Sequence, residues 1–240
     1  MKKKVGIIGY GRWAKKIVPI INRYASIRFI SDSKISYKIF EEPVDWVFVL
    51  TNNNTHYQIV KYFLNKKINV FCEKPLTKSF FLTKSLIDLS KKNKVHLYVN
   101  DVENYKFKKI KKNKNYEINR RKMDNSLSKE SILFRLAYHD FYLLYNELNK
   151  KEFKSEMNEK KNSLKIKLFL KNSKKFIFNY NLKSKKKMHR INSADFLNFK
   201  GNPLEKMIKS LLNDKVNYCK NKTQAMFCSK IIRSIQNDNR

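Results

Sequence analysis

Gly6, Gly9 and Gly11 stand together near the N-terminus of a 240-residue chain that contains only 4 glycines. Glycine permits unusual backbone angles and close approach of a ligand to the backbone. The spacing Gly9-x-Gly11-x-x-Ala14, between a strand-like and a helix-like stretch, is typical of a turn that binds the pyrophosphate of a dinucleotide. There the first glycine permits the turn, the second leaves room for the phosphates, and the third residue lets the helix pack closely. The free N–H groups and positive dipole end of that helix attract the phosphates.

An acid follows the next apolar stretch, residues 27–30. Asp32 lies about 20 residues beyond the glycines, where a carboxylate accepts hydrogen bonds from the adenosine ribose hydroxyls. A carboxylate there repels the 2′-phosphate of NADP, which favours NAD. Ser33 and Lys34 could instead hold such a phosphate, and Asp32 could be a turn or cap residue. The sequence predicts NAD and leaves NADP open.

The elements that would position these residues alternate between strand and helix. Short apolar runs typical of buried strands occur at 5–8, 27–30, 45–50, 69–72 and 95–99. Helical periodicity occurs at 14–24, 57–65 and 78–91. The fold class predicted is therefore α/β, with a doubly wound parallel sheet of the Rossmann type in residues 1–100. Because ligands bind beyond the carboxyl ends of such strands, the glycine motif, residues 51–56 and residues 73–75 should line one crevice.

Two further motifs carry a resemblance to a known family. Residues 50–57 read LTNNNTHY, and residues 70–76 read VFCEKPL. Behind the glycine motif, they resemble the patterns A-T-P-N-x-x-H and V-x-x-E-K-P of the glucose-fructose oxidoreductase / inositol dehydrogenase / MocA (Gfo/Idh/MocA) family, with Asn52 in place of the usual proline. The resemblance covers roughly the first 100 residues. It implies a nicotinamide-dependent oxidoreductase of sugars, cyclitols or nucleotide-linked sugars.

The resemblance places Lys74 in the active site, next to the nicotinamide. Oxidation of a secondary alcohol requires removal of the hydroxyl proton as a hydride leaves the carbon. A lysine can exchange that proton near neutral pH where burial or a nearby cation lowers its pKa, and in its charged form it can polarise the substrate oxygen. Pro75 would fix the turn that aims Lys74. Outside the Glu73-Lys74-Pro75 frame, Lys74 would be interpreted as one more exposed lysine.

A candidate catalytic histidine lies in the second half of the chain. His139 and Asp140 match the pattern D-L-x-x-H-D of the helix that carries the family's catalytic histidine. A neutral His139 could accept the substrate's hydroxyl proton, with Lys74 as its electrostatic partner, or it could be a hydrogen-bonded core histidine. Arg135 replaces the family's aspartate and could hold a carboxylate or pyrophosphate of the substrate. One helical turn apart, Arg135 and His139 should face the same cleft.

Residues 101–240 are expected to form a smaller α+β domain with a mainly antiparallel sheet, for substrate binding and oligomerisation. Helices are predicted at 108–114, 201–212 and 223–235, strands at 115–122, 164–170, 176–181, 188–193 and 196–199, and a polar turn at 123–129. The C-terminal helices could pack back on the first domain. The open face of the sheet could pair subunits. His189, surrounded by lysines, is predicted to lie on the surface.

The formal net charge of +34 suggests a nucleic-acid partner, but the lysines are spread along the whole chain and no nucleic-acid-binding motif is visible. We therefore predict no specific nucleic acid, and ascribe the charge to compositional drift and to attraction of an anionic cofactor and substrate. No apolar run is long enough to span a bilayer. Cys72, Cys219 and Cys228 show no metal-ligand spacing, so we predict no metal and a reducing cytoplasm.

The function predicted is hydride transfer between a nicotinamide and a secondary alcohol or ketone of a sugar or nucleotide-linked sugar, in carbohydrate or surface-polysaccharide metabolism. The alternatives are a cofactor-binding relative without catalysis, acting as a sensor or subunit, and a basic nucleic-acid-binding protein. Lys74 and His139 are the expected catalytic residues, and Tyr105 and Arg135 join them at the substrate. The residues expected at the cofactor are Gly9, Tyr10, Gly11, Arg12, Trp13, Ala14, Asp32, Thr51, Asn52, Asn54, His56, Glu73 and Lys74.

Overall fold

A computed structural model describes residues 1–106, 110–123, 131–149 and 151–239. The chain forms two compact units, each assembled from two separate stretches. The first unit contains residues 1–105 and 202–229, and the second contains residues 106–201 and 230–240. The sequence assigned residues 202–229 to the second domain and allowed that the C-terminal helices could pack back on the first. They are part of the first unit, because a C-terminal helix buries its apolar side in that unit's core.

The first unit is built on a five-stranded parallel sheet with the order β2-β1-β3-β4-β5. Its strands are β1 (Lys3–Ile8), β2 (Ala25–Ser31), β3 (Trp46–Val49), β4 (Asn69–Cys72) and β5 (Leu97–Val99). The connecting helices are α1 (Ala14–Tyr24), α2 (Asn53–Asn65) and α3 (Phe80–Lys92), and a 3₁₀ turn spans Tyr37–Ile39. The predicted Rossmann-type sheet is confirmed. The strand order reverses between β1 and β3, which is where such sheets bind ligands.

Helix α2 begins earlier than the sequence predicted, at Asn53 rather than at residue 57. The hydroxyl and the backbone N–H of Thr55 both donate to the carbonyl oxygen of Asn52, at 2.8 and 3.0 Å. These bonds extend the helix into the Asn-rich motif. Asn54 and His56 therefore lie in the first turn of α2 and not in a free loop.

One asparagine side chain bonds to the backbone of β5, the strand at one edge of the first sheet. Helices α4 (Tyr138–Leu143) and α5 (Tyr145–Leu148) are followed in the chain by α6 (Pro203–Leu212) and α7 (Tyr218–Asp238). Asn221 of α7 accepts from the N–H of Val99 and donates to its carbonyl oxygen, both at 2.8 Å. The side-chain amide thus pairs with edge strand β5 as a neighbouring strand would, which fixes the start of the loop at Asn100.

The second unit contains a six-stranded sheet with the order β11-β10-β6-β9-β8-β7. Its strands are β6 (Asn115–Met123), β7 (Phe153–Lys160), β8 (Ser163–Leu170), β9 (Lys175–Asn181), β10 (Lys183–Ile191) and β11 (Ala194–Asp195). All neighbours are antiparallel except β6 and β9, so the predicted mainly antiparallel sheet is confirmed.

In the second unit one strand was missed, one predicted strand is wrong, and two further predictions lie partly outside the described residues. Strand β7 was missed, because its sequence FKSEMNEK is mostly polar and only alternate positions are shielded. The strand predicted at 196–199 is wrong; the N–H of Leu197 bonds to Asp195 in a turn instead. Residues 110–114 of the predicted basic helix are not helical, and the start of that helix lies outside the described residues. The predicted polar turn began at Met123, which is the last residue of β6, and residues 124–129 of that turn lie outside the described residues.

A helical segment covers one face of the second sheet. It starts with a π-helical turn, Leu133–Ala137, and continues as α4. The ring of Phe141 packs against that of Phe178 on β9, with centroids 5.1 Å apart. None of the helices among the described residues has the length and apolar character needed to cross a membrane.

Candidate active site

The glycine motif joins the carboxyl ends of three strands. Gly9 has φ +93°, and its N–H donates to the carbonyl oxygen of Ser31 at 2.7 Å. A Cβ at Gly9 would lie 2.9 Å from the backbone nitrogen of Thr51. Both the backbone angle and the space therefore require glycine, and the turn after β1 is packed directly against the loop after β3.

Gly11 differs from Gly9, because the fold leaves room for a side chain at this position. Among the described residues, no heavy atom outside the neighbouring positions would lie within 4 Å of a Cβ on Gly11. The neighbouring Tyr10 and Arg12 are exposed, whereas Ala14 is fully buried at the start of α1. The folded chain thus leaves open space beside the N-terminus of α1, where the pyrophosphate of a dinucleotide would need it. The residues present fit an NAD-type cofactor.

Trp13 of the glycine motif is bonded to the Glu-Lys-Pro tripeptide. The indole N–H of Trp13 donates to Oε1 of Glu73, and the amide of Asn100 donates to the same oxygen at 2.7 Å. The backbone N–H of Glu73 donates to the carbonyl oxygen of Val49 at 3.0 Å. Glu73 therefore connects the glycine motif with the ends of β3, β4 and β5. The sequence analysis did not identify Asn100 as a site residue, although its position immediately after a predicted strand could have indicated it.

The electrostatic state of Glu73 is set by opposing effects. Burial raises the pKa of the Glu73 carboxyl, whereas the hydrogen bonds from Asn100 and Trp13 and the positive charge of Lys74 act to lower it. The net shift of the Glu73 pKa is upward.

Lys74 is half-buried and precedes Pro75 through a cis peptide bond.

His56 lies beneath the two loops. Its side chain is 1% exposed, with Nδ1 2.9 Å from the carbonyl oxygen of Pro75 and Nε2 3.1 Å from that of Thr51. The sequence placed His56 at the cofactor, but here the buried ring holds the loops that carry Thr51 and Lys74. Thr51 is half-exposed, and Asn52 and Asn54 are exposed.

Asp32 is exposed at the end of β2. Its Oδ1 accepts from the backbone N–H groups of Lys34 and Ile35, at 2.8 and 3.2 Å. Asp32 therefore forms the turn that the sequence allowed for it. Both contacts use Oδ1, and Oδ2 has no bond to any of the described residues.

Tyr105, expected at the substrate, belongs to a hydroxyl network in the first unit. Its hydroxyl lies 3.2 Å from that of Tyr98, which donates to Asp101 at 2.5 Å. Burial raises the pKa of Tyr105. Tyr105 also packs against the core beside α6. The contacts of the Tyr105 side chain with Tyr98 and with the core therefore contribute to the packing of the first unit.

Arg135 and His139 lie on the helical segment of the second unit. Both are half-exposed, and the three residues between them are buried. Arg135 belongs to the π-helical turn, in which the N–H of Tyr138 bonds to the carbonyl oxygen of Leu133 five residues earlier. Such wide turns occur frequently at functional sites. The next residue, Asp140, is fully buried.

The prediction for His189 is wrong. Its side chain is buried, and its Nε2 lies 2.6 Å from Oδ1 of Asp140. In β10 the side chains alternate between the two faces of the sheet, so His189 and Ile191 face the covered side while Arg190 faces solvent. A count of neighbouring lysines could not reveal this alternation.

Residues 23–101 match the family model GFO_IDH_MocA, described as an oxidoreductase family with an NAD-binding Rossmann fold. The predicted family resemblance is confirmed. The matched segment runs from the end of α1 to the loop after β5 and contains Asp32, residues 51–56 and the Glu-Lys-Pro tripeptide. The description agrees with the predicted cofactor, NAD, and with an oxidoreductase.

Solved structures share this fold at low sequence identity. UDP-N-acetylglucosamine 3-dehydrogenase GnnA from Acidithiobacillus ferrooxidans has a TM-score of 0.83 and 14% identity, over 100% of this chain and 98% of that one. An oxidoreductase from Agrobacterium radiobacter in complex with NAD+, L-tartaric acid and magnesium has a TM-score of 0.74 and 13% identity, over 99% and 97%. An NAD-binding protein from Listeria innocua has a TM-score of 0.75 and 14% identity, over 100% and 96%. No curated protein sequence matches the chain.

Proposed function

We propose that this protein is a dehydrogenase or reductase that transfers a hydride between a nicotinamide and a secondary alcohol or ketone of a sugar or nucleotide-linked sugar. The observation that carries the proposal is the Trp13–Glu73 hydrogen bond. It brings the tripeptide that contains Lys74 to the motif that would bind the dinucleotide. A lysine beside a nicotinamide site has a direct use in alcohol oxidation, whereas a surface lysine needs no such anchoring.

The cofactor would be held by this chain's first unit. The open space at Gly11 and the N-terminus of α1 would receive the pyrophosphate, and Oδ2 of Asp32 would accept from the ribose hydroxyls. Thr51, Asn52 and Asn54 are exposed or half-exposed at the adjoining loop, within reach of a ligand. NAD is favoured over NADP, because the carboxylate of Asp32 would repel a 2′-phosphate.

The chemistry that a bound nicotinamide supplies is acceptance of a hydride from the substrate carbon. The protein's own residues would remove the proton of the substrate hydroxyl and return it. His139, in its neutral form, would take the hydroxyl proton, while the ammonium group of Lys74 would stabilise the negative charge that develops on the oxygen. In the reverse direction His139 would return the proton to the alkoxide oxygen.

Arg135 is proposed to select an anionic substrate. Its guanidinium can form a bidentate pair with a carboxylate or a phosphate. The fold is shared with a UDP-N-acetylglucosamine 3-dehydrogenase, whose substrate carries a pyrophosphate. We therefore favour nucleotide-linked sugars, in carbohydrate or surface-polysaccharide metabolism, within the cytoplasm. Association of subunits through the uncovered face of the second sheet is part of the same proposal.

A second candidate function is cofactor binding without catalysis, in a sensor or subunit. Arg135 favours it, because this cation stands where the family pattern has an acid. Such a protein would bind NADH and leave every substrate unchanged.

Intrinsic fluorescence separates these functions. The chain contains 2 tryptophans: Trp46 is 1% exposed in the core, and Trp13 is 38% exposed at the glycine motif. NADH should quench the Trp13 emission and receive energy from it, and Trp13→Phe should lose most of that signal. NADH formation is then measured with neutral sugars, uronic acids and nucleotide-linked sugars. Quenching with turnover supports the oxidoreductase, quenching without turnover supports the sensor, and no quenching excludes both.

A further inference from the structure

A buried polar cluster lies directly behind the helix that carries His139. Asp140 has 0% side-chain exposure, and both of its carboxylate oxygens are bonded. Oδ1 lies 2.6 Å from Nε2 of His189 and 3.4 Å from a guanidinium nitrogen of Arg120, and Oδ2 accepts from the hydroxyl of Tyr180 at 3.0 Å. Burial acts to raise the pKa of Asp140, but attraction to His189 and Arg120 and the hydrogen bonds outweigh it, so the pKa is lowered. Asp140 is therefore held as a carboxylate.

The three partners of Asp140 form one row across the sheet. Arg120 on β6 is directly opposite His189 on β10 and pairs with Tyr180 on β9. Three adjacent strands thus bind one residue of α4. Because successive residues of an α-helix are separated by about 100° around its axis, fixing Asp140 against the sheet also fixes the direction of His139.

The other end of the same helical segment is held as well. The carboxylate of Glu159, at the end of β7, accepts from the hydroxyl of Ser131 at 2.8 Å and from the backbone N–H of Ile132 at 2.8 Å. Arg135 and His139 lie between this contact and Asp140. The π-helical turn between the two contacts is thereby confined at both ends.

We propose that Asp140 is a positioning residue, which His189, Arg120 and Tyr180 hold so that α4 presents His139 to the substrate. This inference rests on the proposed role of His139. Unlike His139, Asp140 would touch neither substrate nor cofactor. It acts through the rotation of the helix about its axis.

The experiment uses the full chain labelled at histidine for NMR, since it contains only 4 histidines. The His139 signal is assigned as the one absent from His139→Gln. Tyr180→Phe removes one bond to Asp140 from a strand remote in sequence, and His189→Leu removes another. Tyr116→Phe is the matched control, because Tyr116 lies in the same sheet and its hydroxyl contacts the 111–113 segment and the carboxyl group of Glu147 on α5 rather than Asp140.

We expect Tyr180→Phe and His189→Leu to shift or broaden the His139 signal, with His56 and His96 unchanged, and Tyr116→Phe to leave His139 unaltered. His189→Gln, which retains an N–H donor, should restore the wild-type signal in part. In turnover, kcat should fall about 10- to 100-fold with the KM for NAD unchanged. A His139 signal identical to the wild type in both folded variants would overturn the proposal. The NMR result requires no substrate, so a wild type that turns over nothing refutes the proposed function alone.

Discussion

The indole N–H of Trp13 donates to the carboxylate of Glu73, and this bond joins the glycine motif to the tripeptide that contains Lys74. Asn100 donates to the same carboxylate oxygen from the loop after β5. The loops after β1 and β5 therefore both donate a hydrogen bond to Oε1 of Glu73. Substitution of Glu73 should therefore change both the stability of the protein and its binding of the cofactor.

Glu73→Gln should become more stable relative to the wild type as the pH rises. Burial raises the pKa of Glu73 in the folded state, so the folded chain binds the proton more tightly than the unfolded chain does. The wild type therefore loses stability as the pH increases from the ordinary glutamate value, about 4.3, through the raised one. Glutamine keeps an acceptor for Trp13 and does not titrate. Urea unfolding of both proteins between pH 4 and 8 measures the difference; a constant difference would contradict the account.

Substitution of Gly9 should lower stability, whereas substitution of Gly11 should abolish cofactor binding. Gly9→Ala should lower the free energy of unfolding by about 1–3 kcal/mol, because φ +93° and the Thr51 backbone oppose a side chain. Gly11→Val should change stability by less than about 0.5 kcal/mol, since open space surrounds that position. It should nevertheless abolish NADH binding, because valine fills the space that the pyrophosphate needs. Unchanged NADH affinity in folded Gly11→Val would refute the phosphate-binding role.

Asp32 should govern the choice of cofactor through its charge. Asp32→Asn keeps an acceptor for the N–H groups of Lys34 and Ile35 but removes the repulsion of a 2′-phosphate. Its preference for NAD over NADP should therefore narrow, while stability stays near that of the wild type. Asp32→Ala is the comparison, because it loses the turn contacts as well. Equal weakening of NAD and NADP binding in Asp32→Asn would make this residue purely structural.

Asp140→Asn should be destabilised near neutral pH and much less so in acid. Removing one partner of a buried ion pair costs about 3–5 kcal/mol. Because the pKa of Asp140 is lowered in the folded state, its contribution is complete above the ordinary aspartate value, about 3.9, and disappears as the pH falls through the lowered value. Unfolding of wild type and variant from pH 2 to 7 measures this. Asp88→Asn, on the surface beside Lys84, is the control and should cost less than about 1 kcal/mol.

Local patterns sufficed for the parallel strands of the first unit and fell short for contacts between elements remote in the sequence. Buried parallel strands are continuous apolar runs, so β1, β3 and β4 could be recognised in the sequence. Strand β7 could not, because its shielded positions include Ser155, whose partner Asp238 is remote in the chain. The same holds for Asn221 on the edge of β5, and for His189 against Asp140. Each of these contacts is decided by which elements the fold brings together, which no short stretch of sequence specifies.

The motif residues could be named on sequence, but their functions within the fold could not. His56 looked like a ligand-facing residue, and its ring nitrogens lie against two backbone carbonyls. Asp140 looked like part of the His139 motif, and it is fixed by three strands behind the helix. Spacing identifies which residues occur together; burial and hydrogen bonds decide which of them face a ligand.

Single-turnover NADH formation tests the central claim most directly. It is measured with wild type, Lys74→Ala and His139→Ala, using nucleotide-linked sugars, uronic acids and neutral sugars, and NADH affinity is followed by Trp13 fluorescence. We predict that the wild type oxidises a nucleotide-linked sugar, and that each variant still binds NADH but is slower by about 10²–10⁴-fold, because a positioned acid or base contributes that much. No turnover of any sugar by a wild type that binds NADH, or alanine variants as fast as the wild type, would contradict the claim.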